Sequence, residues 1–100
     1  MIRRLEDNFD NESGNGKINF LPCVNDYINK VKRRDQNTYN RIMSAIYHIR
    51  QDPDHSETLS GSLSGYRSKH AGEKVIIYRL RGKSVEICNI APHDKAYGLR

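Results

Sequence analysis

Residues 59–98 read LSGSLSGYRSKHAGEKVIIYRLRGKSVEICNIAPHDKAYG, and this stretch decides the fold. Val75–Leu80 is an apolar run rich in β-branched and aromatic side chains, broken only by Arg79. Such a run suits a strand buried at the centre of a sheet. Alternation along it puts Val75, Ile77 and Arg79 on one face. Upstream, Gly61 and Gly65 punctuate a loop that leads to a strand near Tyr66–His70. Downstream, Arg81–Ser84 holds Gly82 and reads as a hairpin turn. Ser84–Ile90 then alternates, which predicts Val85, Ile87 and Asn89 on one face and Glu86, Cys88 and Ile90 on the other. Pro92 stops strand pairing.

Working toward the N-terminus, the period changes from two to that of a helix. Tyr39, Ile42, Met43, Ile46 and Ile49 form one apolar stripe, with Asn40, Arg41, Ser44 and His48 off it. Asp35 is the expected N-cap, and Pro53 ends this helix. Leu21, Val24, Ile28 and Val31 mark an earlier helix that stops around Arg33–Arg34, with Pro22 in its first turn. So short a link makes the pair an antiparallel hairpin. Asn8–Lys17 has the Asn, Asp, Gly and Ser content of a loop. Met1–Asp10 is read as an edge strand. The expected class is α+β, a small antiparallel sheet packed on an N-terminal helical hairpin in the order β-α-α-β-β-β, with residues 1–100 as one domain.

A chain of 100 residues with 36% hydrophobic content supports one modest core and a wide polar surface. No apolar run approaches the length of a membrane span. Arg3 and Arg4 lead into acidic residues, unlike a signal peptide. A cytoplasmic protein is expected. Cys23 and Cys88 lack metal-ligand spacing and read as small structural residues. The four histidines show no HxxxH pattern, so neither a metal nor a cofactor is expected. His48 reads as part of a solvated helix face and His55 as part of a loop.

The formal charge is +5, and it is uneven. Residues 1–63 carry nine Lys and Arg and nine Asp and Glu. Residues 64–100 carry eight cations against Glu73, Glu86 and Asp94, which is the whole excess. A basic half on a small domain is the footprint of a polyanion partner. His70 and His93 lie in this half. Histidine suits proton transfer near neutral pH, and with cations on a sheet it points to chemistry on a phosphodiester.

These segments resemble the RelE/ParE superfamily of type II toxins, and most of all its mRNA interferases of the YafQ and RelE type. The resemblance is carried by Leu59-Ser60-Gly61, Gly65-Tyr66-Arg67, His70, Val75–Leu80, and His93 followed by Tyr97. It covers about two-fifths of the chain directly. It departs from the YafQ group in placing Glu57 or Thr58 where that group has a further histidine. The N-terminal segment is more similar to HigB-type members.

The resemblance implies a ribosome-associated endoribonuclease with a cognate antitoxin, an acidic and partly disordered segment that covers the basic face. It implies His93 as general acid and His70, with Glu73, as base or orienter of the base. Lys74 would stand where RelE has a catalytic arginine. Arg67 and Arg79 would hold phosphate, with Lys69, Arg81 and Lys83 adding to RNA binding, and Tyr97 would stack on a base. Two rival readings stay open: a ParE-like gyrase poison that catalyses nothing, and an RNA-binding module without chemistry.

Overall fold

A computed structural model describes residues 17–92 and Lys95. The expected strand at Met1–Asp10 lies outside them. Eight short elements follow one another: β1 Ile18–Phe20, α1 Pro22–Arg34, α2 Gln36–Gln51, β2 Glu57–Thr58, a 3₁₀ turn at Gly61–Leu63, β3 Arg67–Ala71, β4 Lys74–Arg81 and β5 Ser84–Pro92. The sheet runs β1-β5-β4-β3-β2. β2 to β5 pair antiparallel, whereas β1 joins β5 in parallel through Ile18↔Val85 and Phe20↔Ile87. The sheet is therefore mixed rather than wholly antiparallel. The helical hairpin and the antiparallel strands after it bring β5 alongside β1 in the same direction.

Asp35 alone links the helices. Its amide donates to the Val31 carbonyl (2.8 Å) and closes α1. Its carboxylate accepts from the Thr38 amide (3.1 Å) and the Thr38 hydroxyl (2.7 Å) and opens α2. Those bonds hold its carboxyl below the usual carboxylate range. One residue doing both tasks leaves the chain no choice but to reverse. The helices then bury one shared face. Val24 and Ile28 of α1, and Ile42, Ile46 and Ile49 of α2, pack on Ile76 and Tyr78 of β4 and Val85 and Ile87 of β5. The hairpin turn expected at Arg81–Ser84 is present, with Gly82 at φ +63. That left-handed backbone suits glycine, which has no Cβ to clash.

One expectation fails inside β5. Ile77 pairs with Asn89 but Tyr78 pairs with Ile87, so Cys88 is an extra residue without a partner on β4. This β-bulge resets the alternation. Ile90, expected on the far face, joins Val85 and Ile87 in the helix-side core. Asn89, expected with them, pairs with Ile77 on the other side. Cys88 is buried at the bulge, its thiol 3.4 Å from the Glu86 carbonyl. Burial, with the Glu86 carboxylate nearby, pushes that thiol up to about 11. Cys23 is exposed. Iodoacetamide at pH 8 should therefore label Cys23 alone in the native protein and both thiols after denaturation, as read by mass spectrometry. Native labelling of Cys88 would show that the bulge opens.

Candidate functional site

β4 separates two environments. Ile76, Tyr78 and Leu80 face the helices. Val75 and Ile77 face the other way and are buried with Leu59, Tyr66 and Ala91. Arg79 shares this second face, as alternation predicted. Cross-strand register adds His70, paired with Val75, and Glu86, paired with Arg79. The second face thus carries a histidine, an arginine and a tyrosine around a small apolar patch.

The arginine is engaged on two sides. Its Nε donates to Glu86 Oε1 at 2.6 Å, and its guanidinium carbon stands 5.7 Å from the centre of the Tyr66 ring. Arg81 approaches the other carboxylate oxygen at 3.4 Å. Glu86 is 14% exposed, Arg79 38% and Arg81 64%, so the acid lies beneath the two cations. The hydrogen bond from Arg79 lowers the Glu86 pKa, and the bond to Glu86 raises that of Arg79. Neither Glu86 nor Tyr66 was anticipated as part of a site. Both were legible in principle. A two-residue turn at Gly82–Lys83 makes Arg79 and Glu86 cross-strand partners by counting outward.

The other expected site residues scatter. Arg67 pairs with Tyr78 and is tied to the loop after α2. Its Nη1 donates to the carbonyls of Asp54 (3.0 Å) and Ser56 (2.8 Å), and Nη2 lies 3.8 Å from Asp54 Oδ1. The Tyr78 hydroxyl donates to the Pro53 carbonyl beside it (2.8 Å). Arg67 is thus a structural clasp, with its guanidinium engaged away from the second face. Glu73 is expected to act with His70, and Lys74 to stand where RelE has a catalytic arginine. They line a groove on the helical side instead, because Lys74 pairs with Ala71 on the face opposite His70. Lys69 and His70 border a shallow depression with Asn40, Arg41, Ser44 and His48 of α2, because β3 is the sheet edge beyond Ser68 and His70 is open to the helical side there as well. The His48 Nδ1 is 2.9 Å from the Ser44 carbonyl, within its own helix. His55 lies 3.6 Å from Asp52. Lys83 is exposed in the β4–β5 turn. His93 and Tyr97 lie outside the described residues. Among the described residues, no group of three or more His, Cys, Asp and Glu side chains could hold a metal ion.

Solved structures share this architecture. A YoeB/ParE toxin from Agrobacterium tumefaciens superposes with a TM-score of 0.67 at 22% identity, covering 76% of this chain and 96% of that one. The YoeB–YefM complex from Staphylococcus aureus gives 0.68 at 17% identity, over 80% and 99%. YafQ from Escherichia coli gives 0.56 at 18% identity, over 79% and 94%. The chain has the RelE/ParE toxin fold. No family model and no curated protein matches the sequence.

Two measurements check this site. Because the Glu86 pKa is lowered in the folded state, its ion pair stabilises the protein above the unfolded carboxylate pKa. That contribution is lost as pH falls through the folded value. Wild type should lose more of its thermal midpoint than Glu86→Gln between about pH 6 and pH 3, and parallel curves would refute the ion pair. Arg67→Ala should destabilise by about 1–3 kcal/mol, the scale of losing charge-assisted bonds to carbonyls. Arg81→Ala should change denaturant stability by less than about 0.5 kcal/mol.

Proposed function

We propose that this protein is the toxin of a type II toxin–antitoxin pair and an endoribonuclease that cuts mRNA on the ribosome. The observation that supports the reading is that the sheet face opposite the helices of a RelE/ParE fold carries Arg79 beside Tyr66, with His70 further along the same face. RNA supplies its own nucleophile. The ribose 2′-OH attacks the adjacent phosphorus while a base takes its proton. The bond from phosphorus to the 5′-oxygen then breaks as an acid protonates that oxygen, leaving a 2′,3′-cyclic phosphate and a 5′-hydroxyl. His70 is the proposed base or its orienter, and His93 the proposed acid. Arg79, bonded to Glu86 and lying over the Tyr66 ring, is the proposed group that stabilises the charge developing on the phosphate. Glu73 and Lys74 lie on the other side of the sheet and are given no step here. Tyr66 offers a ring on the same face, and Tyr97 remains the proposed stacking residue from the C-terminal segment.

The partner follows from the same chemistry. The S. aureus YoeB structure is a complex with YefM, and an acidic antitoxin segment is the proposed cover for this cationic surface. Among the described residues, no helix is long and apolar enough to cross a membrane. Translation as the target would place the protein in the cytoplasm.

Induced alone, the protein should halt protein synthesis before DNA synthesis, and primer extension should reveal new mRNA ends. His70→Ala should reduce cleavage by roughly 10²–10⁴-fold, the scale of a lost general acid or base, with the fold unchanged by circular dichroism. Products with 5′-phosphates would refute the 2′-OH mechanism. An early block in DNA synthesis with intact mRNA would favour the gyrase-poison reading instead.

A further inference from the structure

The even charge of residues 1–63 conceals a second basic region. Residues 17–51 contain seven Lys and Arg against Asp26 and Asp35, a net +5. Residues 1–16, at −2, and 52–63, at −3, offset it in the sequence count. Much of this charge surrounds one groove of about 370 Å³ between the end of α1, the start of α2 and the β3–β4 turn. Lys30 and Arg34 line it from α1, Arg41 from α2 and Lys74 from β4. None of the four forms an ion pair among the described residues.

The groove is mixed in charge but cationic on balance. Two acids line it, Asp35 and Glu73, and the Asp35 carboxylate is already occupied by Thr38. Arg41 lies across Gly72, its Cδ and Nη1 each 3.0 Å from where a Cβ would stand. Gly72 has φ +66, so the turn and the arginine both depend on the missing side chain. A favourable interaction with the helix macrodipole accounts for cations at the end of α1. It does not account for Arg41 in α2 or Lys74 on a strand.

We propose that this groove binds RNA backbone phosphates, on the helical side of the sheet and opposite the face that carries Arg79 and Tyr66. The inference rests on the RNA reading above and adds a second point of contact to it. Phosphate fits better than an acidic peptide. A peptide helix anchors itself by apolar side chains in a slot. Here Tyr27 and Val31 already pack on the core and Ala71 is buried, so the apolar wall is in use. With cations on both faces, the protein can hold the strand to be cut on one and lean on a second stretch of RNA with the other.

The test compares two double variants of the full chain that remove equal charge from the same helix. Lys30→Gln/Arg34→Gln empties the groove wall, and Lys32→Gln/Arg33→Gln leaves it intact. The probe is a fluorescent 2′-O-methyl oligo(U) of about 20 nucleotides, read by anisotropy across a salt series. The groove variant should bind roughly tenfold more weakly, with a salt slope shallower by about 1.4 for two lost phosphate contacts. The control should lose less than about threefold. Arg41→Gln, a single change on the other helix, should weaken binding by roughly threefold and covers a failure of the double variant to fold. Equal losses in both double variants, or none in the groove variants, would overturn the proposal while leaving the RNA reading in place. A loss seen with a poly-glutamate peptide but not with RNA would reassign the groove to an acidic polypeptide. Wild type that binds no RNA would refute both readings.

Discussion

The structure depends on β4 being buried from both sides. Its helix-facing residues, Ile76 and Tyr78, are fully buried, and so are Val75 and Ile77 on the other face. A strand in that position must have its polar atoms satisfied, because an unpaired hydroxyl in the interior costs stability. The Tyr78 hydroxyl reaches the Pro53 carbonyl, and Arg67 secures the neighbouring carbonyls of Asp54 and Ser56. The loop after α2 is thereby fixed to the sheet by side chains from β3 and β4. Its continuation can then run beside β3 as β2. The buried centre of the sheet thus also positions a surface loop and the sheet edge next to it.

Most of this architecture was legible in the residues. The α2 stripe, the Asp35 cap and the apolar run at Val75–Leu80 have strong periodic or stereochemical signatures. What escaped has none. β1 and β2 are three and two residues long, too short for a pattern to emerge, and exist because a neighbour presents a free edge. The bulge at Cys88 was hidden because Ile87, Cys88 and Ile90 are all acceptable in a core. Inserting one residue between them leaves the hydrophobic content unchanged while reversing which face Asn89 and Ile90 occupy.

The site was legible in part for a related reason. Strand alternation correctly grouped Arg79 with Val75 and Ile77. It could not separate Lys74 from His70, since that requires knowing that Gly72 and Glu73 form the turn and that Ala71 pairs with Lys74. Arg67 looked like an RNA ligand because nothing in a linear sequence shows that the loop at 53–56 will offer it carbonyl oxygens. Charge counted over residues 1–63 averages to zero and so does not show that the fold gathers Lys30, Arg34 and Arg41 around one groove.

An acid on the face proposed to meet RNA needs a physical reason. Glu86 weakens the long-range attraction of that face, since it offsets one of the two arginine charges beside it. In return it restricts the guanidinium of Arg79. A free arginine on a strand samples many rotamers and loses that freedom when it binds. Here the bond to Glu86 uses Nε and leaves the terminal nitrogens unused by it, and the guanidinium carbon lies over the Tyr66 ring at 5.7 Å. Among the described residues, the terminal nitrogens of Arg79 make no hydrogen bond, and they are the atoms suited to two phosphate oxygens. The Glu86 clamp therefore gives up some electrostatic steering for orientation. Orientation matters more where charge develops on a phosphate during reaction, because the stabilising group must already be in place when the transition state forms.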